Sequence, residues 1–349
     1  MAQAARDDAA VTWCHVHCPQ FSIDFGLSSS IQFNGENWAM GNKVKVCVKL
    51  GEEGFVDPLI IDTQPSLRQP VLILAFAGWN DAGEAVTSAA QFLCSRLNAE
   101  RFASLDAEEF YNFGENRPRV RLVKGQREII WPANEFFYVQ DTSLVQDLVI
   151  GVGIEPHLRW KTYVQAILDL ARKCQVGMVL TLGALLAEVV YSRPVRITGS
   201  STDPELTARL HLGTSRYEGP TGIVGILNDA CRRDGLPAVS LWANVPHYLS
   251  NTPNPKAMYA LVRRVLGVLD HPLDLQDVET AVRDFETKVA EVIANNPAVA
   301  SYVRQLEERE PDEGDEPPPR RESELPSGDQ LVQELEQFLR QQRRDKPSE

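Results

Sequence analysis

The stretch AFAGWNDAG, residues 75–83, places three side chains that could take part in chemistry, Trp79, Asn80 and Asp81, between two glycines. An apolar run typical of a buried strand precedes it, and a helical pattern follows at once. In open α/β sheets, ligands bind beyond the carboxyl ends of the strands, and the free N–H groups of a helix N-terminus attract anions. The stretch is therefore either a binding site or a tight corner in which Asp81 and Glu84 cap the following helix, and we favour the corner.

A second glycine-rich turn, RYEGPTGIVG at 216–225, contains Glu218 and Thr221 and leads into another helical pattern. Such a turn can cradle a phosphate, but no lysine follows to meet the phosphate charge. Gly222 and Gly225 would equally let this helix pack closely against a sheet. We favour the packing interpretation here as well.

The third stretch is WANVPHYLSNTPNPKA, residues 242–257, in which His247 follows a strand end. Histidine serves as a general base in many enzymes, but no partner nucleophile is identifiable, and we favour a structural role for His247. We assign no catalytic residue and no cofactor. The six residues that could form a cleft or a recognition rim are Trp79, Asn80, Asp81, Glu218, Thr221 and His247.

The sequence predicts no metal site. Cys14, His15, His17 and Cys18 are all metal-capable. However, four ligands within five residues cannot easily surround one tetrahedral ion, because zinc sites usually draw two pairs of ligands from separate segments.

The elements that must position these residues alternate along the chain. Apolar strand patterns such as 70–76, 147–154, 176–183 and 238–245 are separated by amphipathic helical patterns. This alternation predicts an α/β fold in which helices cover both faces of a mainly parallel sheet. A C-terminal helical hairpin follows it.

Five segments are predicted from the shifts in composition. They are an irregular or poorly ordered extension at 1–57, an α/β core at 58–270, a helical hairpin at 271–309, a disordered acidic and proline-rich linker at 310–327, and a tethered amphipathic helix at 328–344. The last helix carries an apolar stripe formed by Leu331, Leu335, Phe338 and Leu339. On a flexible tether, such a stripe must dock on its own chain, on a sister subunit or on a partner.

The composition of the 349-residue chain narrows the class of protein. The net charge of −13 argues against nucleic-acid binding, which requires a basic face. The six cysteines are scattered along the chain, and three of them, Cys94, Cys174 and Cys231, belong to helical patterns. This is typical of reduced thiols rather than of a disulfide framework. We find no signal peptide and no apolar stretch of the length that spans a bilayer, and therefore expect a cytoplasmic protein.

Several of these stretches together resemble the bacterial long form of the proteasome assembly chaperone family. The resemblance covers residues 58–341, and the motifs that carry it, in chain order, are PVLILAFAGWNDAG, IIWPANEFF, GVGIEPHLRWK, TLGALLAEV, RPVRITGS, SRYEGPTGIVGIL, LWANVPHYLSNTPNPKA and ELPSGDQLVQELEQFLR. Members are also labelled ATP-grasp-like or carboxylate–amine ligases.

The resemblance implies a three-layer, phosphorylase/hydrolase-like α/β core, self-association with trimers in the bacterial branch, and a proteasome-related partner such as the α-subunits. The chain departs from the family pattern at Val190, Tyr191 and Ser192, where members usually have Pro-His-Thr. Its end, DKPSE, also lacks the hydrophobic–tyrosine tail of the archaeal ring-binding members.

These observations favour a non-enzymatic, homo-oligomeric chaperone-like protein acting on proteasome-related complexes. Two alternatives remain from the sequence. One is an ATP-dependent carboxylate–amine ligase, which would need lysines on the phosphates and acidic residues on magnesium that we cannot locate. The other is a hydrolase- or phosphorylase-like enzyme that uses a cleft among Asn80, Asp81, Glu218, Thr221 and His247.

Overall fold

The computed structural model describes residues 57–141, 144–213, 217–250 and 252–308. Within them, eight strands form one sheet and two strands form a separate hairpin. The strands of the large sheet are β1 Leu59–Ile61, β2 Val71–Ala77, β3 Glu100–Leu105, β6 Asn134–Val139, β7 Leu148–Ile154, β8 Met178–Ala187, β9 Ile197–Ser201 and β10 Ala238–Pro246. The hairpin strands are β4 Arg119–Val123 and β5 Gln126–Ile130.

Eight α-helices lie in the same described ranges. They are α1 Ala85–Arg96, α2 Ala107–Phe110, α3 Trp160–Lys173, α4 Pro204–Arg209, α5 Ile223–Asp234, α6 Pro255–Leu269, α7 Gln276–Ala294 and α8 Pro297–Glu308. Two short 3-10 turns, Ala82–Glu84 and His247–Leu249, follow the ends of β2 and β10. None of the helices in the described part of the chain is long and apolar enough to cross a membrane.

The centre of the large sheet is parallel and its two edges are antiparallel. The strand order is β1-β3-β6-β7-β2-β8-β10-β9, and β7, β2, β8 and β10 run parallel to one another. The register sets Val71 of β2 beside Leu148 of β7 and Met178 of β8. The α/β prediction is therefore confirmed, with a mixed sheet in which the predicted parallel pairing occupies the middle.

The apolar runs of the central strands are continuous because both faces of the sheet are covered. Alternate residues of β2 enter two separate cores: Leu72, Leu74 and Phe76 face α3 and α5, whereas Val71 and Ile73 face α1 and α6. A strand that buries both sets of side chains needs no polar alternation. This packing gives the three layers that the sequence predicts.

The first central helix begins later than its sequence pattern suggests. The pattern predicts a helix from residue 81, but α1 begins at Ala85 after a 3-10 turn in which Gly83 and Glu84 have positive φ values of 62° and 50°. Gly83 contacts Asn254, so the turn is packed against the start of α6. The predicted capping box of Asp81 and Glu84 is therefore wrong in detail, because Glu84 itself occupies the N-cap position.

The helices α7 and α8 enclose a third, smaller core. Val289, Val292, Val299 and Val303 from these helices pack with Tyr248, next to the end of β10. Three predicted segments lie outside the described residues: the extension predicted at 1–57, except for its last residue, the acidic linker at 310–327 and the helix at 328–344. The Cys14–Cys18 cluster belongs to the first of them.

Two glycines of β7 make room for the neighbouring strand β6. A Cβ atom on Gly153 would lie 1.5 Å from Asn134 Oδ1 and 2.9 Å from Asn134 Cα. Because Asn134 is buried and its Cα belongs to the backbone, the clash cannot be relieved by a side-chain rotation alone.

We expect Gly153→Ala to lower the free energy of unfolding by about 3 kcal/mol, since overpacking a tight core is costly. Gly267→Ala is the matched control, because a Cβ there meets nothing within 4 Å and the residue lies inside α6. The control should raise stability by up to about 1 kcal/mol. Urea denaturation followed by circular dichroism measures both, and equal stabilities would contradict the packing argument.

Candidate recognition rim at the carboxyl edge of the sheet

The loop after β2 lies in the middle of the sheet, where the strand order continues on both sides of β2. β7 and β8 flank β2 on opposite sides, and α1 and α5 cover opposite faces. In doubly wound folds, the crevice at such a point is the usual ligand site. Here the loop fills the crevice: Ala184 N–H donates to Asn80 O at 2.8 Å, and Asp81 forms a parallel bridge with Ala184.

The Asp81 side chain is directed into the start of α1. Its carboxylate accepts hydrogen bonds from Val86 N at 2.7 Å, from Thr87 N at 3.4 Å and from Thr87 Oγ1 at 2.5 Å. Burial raises the pKa of Asp81, and the hydrogen bonds from Thr87 and Val86 oppose that rise. The predicted capping function of Asp81 is therefore present, although it acts across the 3-10 turn rather than from the N-cap position.

Glu155, just after β7, performs the same function for α5. Its Oε1 atom accepts a hydrogen bond from Ile223 N at 2.8 Å and another from Asn80 Nδ2 at 3.1 Å. A carboxylate is favourable at this position because helix N-termini carry partial positive charge. The glycine-rich turn that could have cradled a phosphate thus holds the chain's own carboxylate.

The glycine before α5 is required by this contact. A Cβ atom on Gly222 would lie 2.7 Å from Glu155 Oε1 and 2.8 Å from both Asn80 Nδ2 and Oδ1. Asn80 is 1% exposed, and its Oδ1 atom has no hydrogen-bond partner within the described residues. Asn80 therefore contributes to the corner through its main-chain carbonyl and its Nδ2 group.

Sequence reasoning missed Glu155, and one signal could have found it. The residue directly follows a strongly apolar strand pattern, at the end where parallel strands collect polar groups. The same signal identifies Asn80 and Asp81, but Glu155 enters the sequence analysis only as part of the motif GVGIEPHLRWK, with no role of its own.

Within the described residues, Glu218, Thr221 and His247 form no hydrogen bond with Asn80 or Asp81. Glu218 and Thr221 are exposed in the turn before α5. His247 Nδ1 lies 3.3 Å from Ala187 O, and its Nε2 lies 3.1 Å from the Tyr302 hydroxyl. His247 thus joins the end of β10 to α8, in keeping with the structural role that we favour for it.

A cleft of about 460 Å³ lies between the ends of β2 and β7. Trp79 and Leu158 line it with side chains that are 65% and 51% exposed. One wall is formed by residues around Asn112, whose backbone N–H donates to His157 Nδ1 at 3.1 Å. Of the six residues predicted to form a recognition rim, Trp79 alone lines this cleft. From here on, the rim means Trp79, Leu158 and the surrounding cleft.

The rim is better suited to recognising an apolar surface than to holding an anion or a metal. The helix N-termini next to it, those of α1 and α5, already hold the carboxylates of Asp81 and Glu155. A third, that of α6, is capped by Asn254, which accepts a hydrogen bond from Ala257 N at 2.9 Å. Across the described ranges, no group of three or more His, Cys, Asp and Glu side chains is placed to hold a metal ion.

Comparison with known proteins identifies the family. The sequence model of the PAC2 family matches residues 75–293, which is more than half of the chain. The chain belongs to the PAC2 family. No curated protein matches it.

Solved structures agree with this assignment. A PAC2 family protein from Streptomyces avermitilis is 43% identical with a TM-score of 0.63, over 67% of this chain and 99% of the other. A proteasome-assembly chaperone homologue from Mycobacterium tuberculosis is 40% identical with a TM-score of 0.62, also over 67% and 99%. An M. tuberculosis protein of unknown function is 26% identical with a TM-score of 0.65, over 74% and 90%.

The suspected family is thereby confirmed, and one of its labels is corrected. The family model and the S. avermitilis structure carry the description PAC2, and the 40% identical M. tuberculosis structure is described as a proteasome-assembly chaperone homologue. The ATP-grasp label is not supported. The physical reason is that a nucleotide phosphate would bind at a helix N-terminus next to a glycine-rich turn. The two such N-termini beside the cleft, those of α1 and α5, already bind the carboxylates of Asp81 and Glu155.

The Glu155 contact can be tested by two substitutions. Glu155→Ala should lower the free energy of unfolding by about 2–3 kcal/mol, because the Asn80 amide and the Ile223 N–H both lose their acceptor. Glu155→Gln keeps an oxygen acceptor and loses only the charge at the α5 N-terminus, so it should cost less than about 1 kcal/mol. Guanidinium denaturation measures both. A Gln variant as unstable as the Ala variant would show that charge, rather than the two hydrogen bonds, carries the stabilisation.

Proposed function

We propose that this PAC2-family protein is a non-enzymatic, homo-oligomeric, chaperone-like binding protein that acts on proteasome-related complexes through the rim. The single observation that carries the proposal is the combination at the carboxyl edge of the sheet. The carboxylates of Asp81 and Glu155 there are hydrogen-bonded to groups of their own chain, while Trp79 remains 65% exposed on the loop that they hold in place.

The hydrogen bonds at this edge favour binding over chemistry. The Glu155 carboxylate bonds to two segments of its own chain, and the Asp81 carboxylate bonds to the start of α1. A catalytic acid or base must reach a substrate proton, and a phosphate site needs unfilled N–H donors. Both carboxylates already serve the fold, so the groups most suited to chemistry are committed to positioning the loop.

The exposed side chains of the rim are of the type that dominates protein interfaces. Trp is enriched among the few residues that carry most of the binding energy, and such residues are effective when they stand on a rigid support. Trp79 lies between Gly78 and the buried Asn80, which anchors the loop. Leu158 extends the apolar surface across the cleft.

The family supports a proteasome-related partner and self-association. The relative from M. tuberculosis is described as a proteasome-assembly chaperone homologue, and it is 40% identical over 67% of this chain. The motif resemblance of the sequence favours a trimer. We therefore take proteasome α-subunits as the first partner to test.

The rim predicts a specific loss of binding. Trp79→Ala should weaken the affinity for purified proteasome α-subunits of the same organism about 30-fold or more, because a central aromatic anchor contributes roughly 2 kcal/mol. Leu158→Ala should weaken it about 5-fold. Val145, 76% exposed just before the amino end of β7, is the matched aliphatic control. Val145→Ala should change the affinity less than 2-fold, as judged by surface plasmon resonance.

Light scattering on the same samples should give the mass of a trimer for all three variants. Wild-type protein that does not bind α-subunits at all would contradict the proposed partner. Equal affinities of Trp79→Ala and Val145→Ala would instead place the contact away from the rim.

Binding of a nucleotide separates the proposal from the ligase alternative. A ligand at 100 times its dissociation constant adds about 2.7 kcal/mol to the stability of the folded state. We expect the melting temperature to change by less than about 1 °C with millimolar Mg-ATP, because the proposal includes no nucleotide binding. A bound nucleotide would produce a visible shift, since each ~1 kcal/mol of added stability raises the melting temperature by several degrees. Differential scanning calorimetry measures it, and a shift of several degrees would favour the ligase.

A further inference from the structure

The hairpin of β4 and β5 is a surface that neither the family nor the rim explains. It forms its own two-stranded sheet, apart from the eight-stranded one. Val120, Leu122 and Ile129 are 59%, 69% and 53% exposed. Large aliphatic side chains at this density on a sheet surface mark an interaction site rather than ordinary surface.

The register places these three side chains on one face. Val120 lies directly opposite Ile129, and Leu122 lies opposite Arg127. Because successive side chains of a strand point to opposite faces, Val120, Leu122, Ile129 and Arg127 share one face of the hairpin. We call this set the hairpin face.

The hairpin also collects positive charge in an acidic chain. Residues 117–131 contain five basic side chains and one acidic side chain, whereas the whole chain carries −13. Within the described part of the chain, Arg117, Arg119, Lys124 and Arg127 form no salt bridge, and Arg121 has only a 3.4 Å contact with Glu128. The hairpin therefore offers unpaired cations around an apolar centre.

Such a ribbon needs a covering partner. A two-stranded hairpin alone is marginally stable in water, and a third strand or a packed helix is normally required. The described contact at its base is the ring pair of Phe113 and Trp131, with centroids 5.2 Å apart. The partner must supply apolar side chains together with negative charge.

The chain itself contains such a segment. Residues 310–316, EPDEGDE, carry five carboxylates and no basic side chain, and they follow shortly after Glu308, where α8 ends. Further along, Leu331, Leu335, Phe338 and Leu339 recur at the spacing of an amphipathic helix. We propose that the hairpin face is the docking site for residues 310–339 of this chain, from the same or a neighbouring subunit.

The proposal is independent of the rim and of the proteasome assignment. The acidic run would meet Arg117, Arg119, Lys124 and Arg127, and the apolar stripe would cover the hairpin face. A nucleic acid would satisfy the charges but would leave Val120, Leu122 and Ile129 against phosphates, so the acidic and apolar segment fits better.

Zero-length cross-linking of the full-length protein with a carbodiimide tests the docking directly, because this reagent joins an amine to a carboxylate in contact with it. Lys124, at the hairpin tip, should form a product with an Asp or Glu between residues 310 and 336, identified by mass spectrometry. Lys256 and Glu286, whose Nζ and Oε1 atoms are 2.5 Å apart, provide an internal positive control in every sample.

Two perturbations should remove the Lys124 product while sparing the control. Raising the salt from 0.05 to 0.5 M should lower its yield at least about 5-fold, since exposed ion pairs are screened. The triple variant Arg117→Gln, Arg119→Gln and Arg127→Gln should do the same. The matched variant Arg232→Gln and Arg233→Gln removes two exposed basic side chains from α5 and should leave the yield unchanged.

Three results would overturn the proposal. One is the absence of a Lys124 product with residues 310–336 in a sample where Lys256 and Glu286 are joined. Another is a Lys124 product with a carboxylate in the 57–308 region of a second chain, which would identify that region as the occupant. The third is an unchanged yield in the triple variant.

Discussion

The carboxylate of Glu155 connects three parts of the chain that are distant in sequence. Glu155 lies directly after β7. Its Oε1 atom accepts a hydrogen bond from Asn80 Nδ2 in the loop after β2 at 3.1 Å, and another from Ile223 N, the first N–H of α5, at 2.8 Å. Hydrogen bonds to a charged group contribute about 1.5–3 kcal/mol each when their partners are shielded from water. The corner that carries Trp79 therefore depends on a residue from a different strand.

This contact also explains why the two turns are rich in glycine. Gly78 has φ of 127°, a conformation that side chains rarely adopt, and its missing Cβ leaves space beside Glu155 Cβ. Gly222 must lack a side chain for the same carboxylate to reach α5. Glycine-rich turns beside helix N-termini are often taken as phosphate sites, but here they accommodate an internal anion.

The sequence predicts the layers of this fold well because their signals are local. The runs of β2 and β7 are apolar throughout, and each is long enough to be recognised without knowledge of its neighbours. Asp203 likewise predicts the start of α4, because aspartate is a common N-cap residue. In the structure its side chain accepts hydrogen bonds from Glu205 N at 2.7 Å and from Leu206 N at 3.4 Å. These features depend on residues a few positions apart.

The site is less predictable because its contacts join distant residues. The partner of Glu155 in α5 lies 68 positions further along the chain, and only the strand order brings the two together. The sequence groups His247 with Asn80 because both follow a strand, but His247 Nε2 lies beside the Tyr302 hydroxyl of α8 and its Nδ1 lies beside Ala187 O at the end of β8. The antiparallel edges escaped prediction for the same reason, since pairing direction is not encoded in the apolar pattern of a single strand.

The rim and the hairpin face would bind their partners through different interactions, so their functions can be separated by experiment. The rim presents Trp79 and Leu158 beside carboxylates that are already hydrogen-bonded to their own chain, so we expect association there to depend mainly on apolar burial. The hairpin combines apolar side chains with unpaired cations, so its association weakens as ionic strength rises. In a chain of net charge −13, such a basic hairpin attracts acidic segments, and the proposed occupant after α8 is covalently tethered, which gives it a high local concentration.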